Sequence, residues 1–192
     1  MNGYSGIDLA NGLAAETQFA PTDWPNWRGL TSDGQAKLVD GLPTQWSETK
    51  NVVWKTPIPG RGHGTPTVVD DRIYLATADE EEMFQSVLCL DKTNGKVAWQ
   101  TKVHEGQFAI GLNKHASHAG TVVVHDGKRL YVNFVIGNQA YASALGLDGK
   151  LLWQKPIGKY KVHQGYGSSP MVYRDIVVVK ACLLYTSDAA DE

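Results

Sequence analysis

Cysteine is almost missing from this 192-residue chain, which has only Cys89 and Cys182. Cys182 falls in a tail set aside below, which leaves Cys89 with no disulfide partner. Cysteine usage therefore does not fix a redox compartment. Cys89 stands between Leu88 and Leu90 and reads as a small buried hydrophobe, since a reactive thiol needs an exposed, electropositive setting. Charge of one sign is also lacking: 18 basic against 20 acidic residues give a formal net charge of −2. No Lys/Arg cluster interrupts that balance, which argues against a nucleic-acid surface. The run Glu80-Glu81-Glu82 reads as a solvated loop. No apolar stretch approaches the ~20 residues of a membrane-spanning helix. Met1–Ala20 lacks a basic region followed by an apolar run, so as written it is not a signal peptide.

What the chain does have is a phrase said twice. Leu88-Cys89-Leu90-Asp91 leads through Lys92-Thr93-Asn94-Gly95-Lys96 to Val97-Ala98-Trp99-Gln100. Leu145-Gly146-Leu147-Asp148 leads through Gly149-Lys150 to Leu151-Leu152-Trp153-Gln154. Each copy is a strand, an Asp, a tight turn and a second strand ending in Trp-Gln. Asp148-Gly149 reads as a two-residue type I′ loop, with positive φ at both positions. Asp91 to Gly95 forms the longer version of the same hairpin. That segment faintly echoes a calcium loop, but its Gly stands one place early and Lys102 occupies the position of the bidentate Glu.

Two strands precede each hairpin: Thr65–Val69 and Arg72–Thr77 before the first, Thr121–His125 and Arg129–Phe134 before the second. A third unit starts at Ser168–Tyr173 and Ile176–Val179. A lone closing strand, Asn51-Val52-Val53-Trp54-Lys55, puts Trp54 in the place of Trp99 and Trp153, with spacings of 45 and 54 residues. Loop insertions at 79–85 and 104–116 account for the unequal spacing. Four strands in about 40–50 residues is the size of a β-propeller blade. The chain is therefore read as all-β: a partial β-propeller of four-stranded antiparallel blades, about two and a half of them plus the orphan closing strand. Residues 1–22 read as a disordered or irregular segment and 23–181 as the propeller domain. Trp54, Trp99 and Trp153 are expected to pack between adjacent blades, and Asp91, Gly95, Asp148 and Gly149 to shape the hairpin turns of the repeat.

These features resemble the pyrroloquinoline-quinone-like (PQQ-like) β-propeller repeats. The resemblance rests on the doubled phrase, on the openings Thr65-Pro66-Thr67-Val68 and Ser169-Pro170-Met171-Val172, and on the lead-in Trp24-Pro25-Asn26-Trp27-Arg28-Gly29. It implies an exported, periplasmic or extracellular protein. It implies either a non-catalytic scaffold that binds a protein or small ligand at the propeller face, or the N-terminal part of a PQQ-dependent dehydrogenase. The first needs no cofactor; the second would need PQQ and Ca²⁺. No residue here matches a quinone ligand, a vicinal cysteine pair or a catalytic constellation, so the scaffold reading leads and no catalytic residue is assigned. Residues 182–192 do not continue the third unit. They resemble the conceptual translation of a sequencing adapter, which implies that the third unit is interrupted.

The candidate contact residues sit where chain enters each unit. Gly60-Arg61-Gly62-His63-Gly64 and Gly165-Tyr166-Gly167-Ser168-Ser169 are Gly-rich, and strands rather than helices follow them, which excludes a phosphate cradle. Their glycines are expected to allow close packing of first strands. Arg61, His63, His115, His118 and Tyr166 are the expected contacts near a funnel mouth. His115 and His118 have a spacing found in zinc sites, but no carboxylate or thiolate stands near them in sequence, and no metal site is assigned.

Overall fold

The computed structural model describes residues 18–37, 41–108, 112–160 and 165–181. The first 17 residues, His163 and the adapter-like tail lie outside the described residues. Ten strands form three antiparallel sheets, and no helix occurs among the described residues. The first sheet is the meander β1 (Thr67–Val69), β2 (Arg72–Asp79), β3 (Phe84–Asp91) and β4 (Val97–Glu105). The second repeats that order with β5 (Val124–His125), β6 (Arg129–Ile136), β7 (Gln139–Gly146) and β8 (Leu151–Lys159). The third holds β9 (Met171–Tyr173) and β10 (Ile176–Val178). This is the expected all-β arrangement, two four-stranded blades and the opening half of a third.

Burial explains why the blades stack. β3 is buried along almost its whole length, and β6 nearly so, and both are inner strands of their sheets. One core joins Tyr74, Val87 and Cys89 of the first sheet to Val123, Leu130, Val132, Phe134 and Leu145 of the second unit. Each such side chain contributes about 1.5–3 kcal/mol when fully buried. β4 and β8 are mostly exposed, as outer strands should be. Cys89 is 1% exposed and burial raises its thiol pKa, so it is the inert hydrophobe expected.

Three local expectations are corrected. The first strands are shorter than their sequence runs: β1 starts at Thr67 and β5 covers only Val124–His125. Pro66 has no N–H for a ladder. In the second unit, the Val122 N–H donates to Ser169 Oγ (2.9 Å) and Thr121 Oγ1 donates to the Asn133 carbonyl (2.7 Å), so those groups bond outside the ladder. The middle strands are longer than expected, and the 79–85 insertion shrinks to a turn in which Asp79 Oδ1 accepts from the N–H groups of Glu81 and Glu82. The Asp148-Gly149 hairpin is not a two-residue type I′ loop. Gly149 alone has positive φ (+87°), and its N–H donates to the Gly146 carbonyl (3.0 Å) while the Gly146 N–H donates to Lys150 (2.8 Å). That is a three-residue loop closed by a left-handed glycine.

Residues 51–55 pair with no strand among the described residues, yet Trp54 takes the expected place. Its Nε1 donates to the Lys92 carbonyl (2.9 Å), and Thr56 Oγ1 donates to the Gly95 carbonyl (2.7 Å). The next blade repeats the arrangement: Trp99 Nε1 donates to the Leu147 carbonyl (3.1 Å) and Thr101 Oγ1 to the Gly149 carbonyl (2.6 Å). Within its own blade, Trp99 lies 6.1 Å from the Tyr74 ring, and Trp153 lies 6.1 Å from Tyr131. The Gln of each phrase bonds inward, Gln100 to Ser86 Oγ (2.9 Å) and Gln154 to Ser143 Oγ (3.4 Å).

The lead-in is irregular but anchored. Trp24 exchanges backbone hydrogen bonds with Val68, and the Pro25 carbonyl accepts from the His125 N–H (2.8 Å). Buried Asp23 accepts from the N–H groups of Ala20 (2.8 Å) and Asp70 (3.1 Å). Phe19 meets His125 edge-on, so ordered packing begins upstream of residue 23.

Candidate functional site

The first strands of the three units lie side by side, β1 against β5 and β5 against β9. The chain entering them must therefore converge, and glycine allows the approach. A methyl group at Gly64 would sit 2.1 Å from the Thr121 carbonyl oxygen, and one at Gly62 would sit 2.3 Å from that of Ala76. At Gly120 it would meet the Tyr166 carbonyl oxygen at 3.0 Å. The His63 N–H donates to the Ala119 carbonyl (2.9 Å), which binds the first entry to the second.

Where the entries meet, a cavity of about 280 Å³ opens at the surface. His63 supplies one side, Asn113, His115, Ala116, Ser117 and Gly120 a second, and Gly165, Tyr166 and Gly167 a third. The structure thus brings together His63, His115 and Tyr166 of the five expected contacts. Arg61 is not in the lining; its Nη2 donates to the Lys114 carbonyl (3.3 Å), between the lining residues Asn113 and His115. His118 is placed differently. Its ring stacks on Phe108 (centroids 4.3 Å apart, 26° between planes), it does not line the cavity, and burial lowers its pKa. His115 and His118 therefore do not face one ion, and no group of three or more His, Cys, Asp or Glu among the described residues is placed to hold a metal.

The second wall is held by local bonds. Asn113 Oδ1 accepts from the His115 N–H (2.9 Å) and the Asn113 carbonyl accepts from the Ala116 N–H (2.9 Å). Tyr166 is buried, donates its hydroxyl to the Lys180 carbonyl and meets Tyr160 edge-on at 4.9 Å. Burial pushes its phenol up to about 12. It is a fixed wall, not an acid or base working near neutrality. Asn113 and Ser117 had no signal in the sequence, because they stand in a loop with no periodic pattern. Gly167 had one, the glycine-rich entry at 165–169; Gly120, a lone glycine before Thr121, had none.

A second cavity, of about 500 Å³, opens where the β5–β6 and β9–β10 turns meet the lead-in, with Phe19, Leu30, Tyr131, Tyr173, Lys128 and Arg174 in its lining. None of the expected contacts lies there.

The entry cavity does not suit a quinone held by calcium. Ca²⁺ takes 6–8 oxygen ligands, usually with carboxylates among them. Among the described residues the lining offers no Asp or Glu, a single amide on Asn113, the Ser117 hydroxyl, and a Tyr166 hydroxyl already engaged.

Comparison with known proteins agrees with the fold. No curated protein matches the chain. A family of PQQ repeats, described as outer membrane protein assembly factor BamB, matches residues 31–185. That stretch runs from the lead-in through both complete blades and the half blade, so the chain belongs to the PQQ-like β-propeller repeat family.

Proposed function

We propose that this protein is a non-catalytic propeller scaffold that binds a protein or small ligand at the face where its blades are entered. One observation carries the reading: the entries of three successive units converge on a single cavity whose side chains, His63, His115 and Asn113, can hydrogen-bond a guest. Tyr166 and the glycine backbones give that cavity rigid walls. The family description, an assembly factor of the outer membrane, favours a protein partner and a periplasmic or extracellular setting. No helix among the described residues is long and apolar enough to cross a membrane. The dehydrogenase alternative has no supporting donor set at the entry cavity.

Two measurements test this. The full chain given PQQ and Ca²⁺ is expected to oxidise no alcohol beyond the rate of free quinone; robust turnover would overturn the scaffold reading. A mixed panel of small acids, alcohols, sugars and short peptides, followed by NMR, is expected to shift resonances of His63, His115 and Tyr166. Shifts clustered instead on the exposed strands β4 and β8 would remove the entry face as the binding face.

A further inference from the structure

We infer that the entry cavity takes a carboxylate, carried either by a peptide or by a free organic acid. The inference rests on the reading of that face as the binding face and adds the chemistry of the guest. Among the described residues the lining contributes two imidazoles, the Asn113 amide, the Ser117 hydroxyl and the engaged Tyr166 hydroxyl, and no acidic side chain. Arg61 Nη2 donates to the carbonyl of Lys114, whose chain neighbours Asn113 and His115 both line the cavity. Arg61 and Lys114 are exposed, and neither joins an ion pair among the described residues. A guanidinium has five N–H donors in a fixed fork, so this one bond leaves most of them for a guest. A carboxylate is acceptor-only, with about four lone-pair sites, and its bonds to cationic donors are roughly twice as strong as neutral ones.

Shape points the same way. Gly120, Gly165 and Gly167 line the cavity, and a methyl group at Gly120 or Gly165 would press on the Tyr166 carbonyl (3.0 Å) or on Ala116 (3.1 Å), so these walls pack as backbone. At about 280 Å³ the space holds one or two side-chain-sized groups, the small end of ligand sites, which run from about 300 to 1,000 Å³. A cationic guest would find no counter-charge among the described residues of the lining. The acidic run Glu80-Glu81-Glu82 caps the β2–β3 turn, where Glu80 acts on His118, and does not line the cavity.

The test uses the full chain and four probes at equal ionic strength: succinate, its neutral counterpart succinamide, an acidic tetrapeptide and a lysine tetrapeptide. Succinate and the acidic peptide are expected to shift the imidazole C–H resonances of His63 and His115 saturably. Succinamide and the lysine peptide are expected not to. Arg61→Gln combined with Lys114→Gln should weaken carboxylate binding roughly tenfold, with the tryptophan indole resonances unchanged as a check on folding. Added salt should weaken it further. Tighter binding of the peptide assigns the carboxylate to a protein partner, and tighter binding of succinate assigns it to a free acid. Succinamide equal to succinate, a double variant that binds undiminished, or no saturable shift with either carboxylate overturns the inference. A neutral probe seated at the same imidazoles would overturn it while leaving the entry face standing; carboxylates that bind only at β4 or β8 would remove both.

Discussion

Trp99 of the first blade packs against Gly149 of the second so closely that a methyl group on Gly149 would lie 2.7 Å from the indole ring. Gly95 stands in the same relation to Trp54, at 2.4 Å. Both glycines have positive φ, +70° at Gly95 and +87° at Gly149. Each turn glycine therefore meets two demands at once, a left-handed backbone and room for the indole of the neighbouring unit. The Trp-x-Thr segment then donates two hydrogen bonds to that turn. Trp153 is followed by Lys155 in place of the threonine, so a turn seated on it would lack the second bond.

Gly149→Ala should separate these two demands when compared with Gly137→Ala. Gly137 also has positive φ (+57°) but nothing within 4 Å of an added methyl. The second change carries only the backbone cost, about 1–2 kcal/mol. The first adds a collision with Trp99 and is expected to cost about 1–3 kcal/mol more. Urea unfolding of the two variants checks the difference.

Trp99→Ala should destabilise by about 2–4 kcal/mol, at or just below the usual range for a buried Trp. The reason is that Trp99 is only partly buried at the blade surface. Trp99→Phe keeps most of the ring contact and loses the bond to the Leu147 carbonyl, so it should cost about 1–2 kcal/mol. Thermal melts of both variants test the order, which a purely decorative indole would not produce.

Acid should loosen the contacts between blades. His104 is buried against Phe134 and Tyr141 of the next blade, and burial pushes its imidazole from 6.5 down to about 4. Burial also lowers the pKa of His118 and His125. Between those two values the unfolded chain binds more protons than the folded one, so stability rises with pH and is lost as pH falls from 6.5 towards 4. From about pH 7.5 to about pH 5, His104 alone should cost roughly 1–2 kcal/mol. Unfolding midpoints at the two pH values, for the native chain and for His104→Gln, should show a shallower slope in the variant.

Asp23 ties the lead-in to the β1–β2 turn, where Asp70 holds a left-handed φ of +52°. Asp23→Ala leaves the N–H groups of Ala20 and Asp70 without their acceptor, a loss of about 1–3 kcal/mol. Asp23→Asn keeps one acceptor and should lose less. Limited proteolysis within residues 18–30 should quicken in the first variant and change little in the second.

The sequence carried the fold because the fold is a repeat. The doubled phrase located β3, β4, β7 and β8 and put Trp54 and Trp99 between units; that each indole seats on a neighbouring turn emerged only from the structure. What it hid has physical causes. Leu147 looked like strand because it is apolar, so the three-residue loop at 147–149 read as a two-residue one. The first strands read too long because Thr121 and Val122 look like strand while their polar groups bond outside the ladder. The cavity was half legible. Glycine-rich entries marked where His63 and Tyr166 would lie, but loop spacing sets no direction, so His115 and His118 were both expected as contacts when only His115 faces the cavity.

The central structural claim is that an indole from one unit seats on the turn glycine of the next. A double-mutant cycle of Trp99→Ala and Gly149→Ala, measured by urea unfolding, tests it most directly. If the contact is as described, removing the indole removes the collision, so Gly149→Ala should cost at least about 1 kcal/mol less in the Trp99→Ala background than in the native one. Equal costs in both backgrounds would contradict the account.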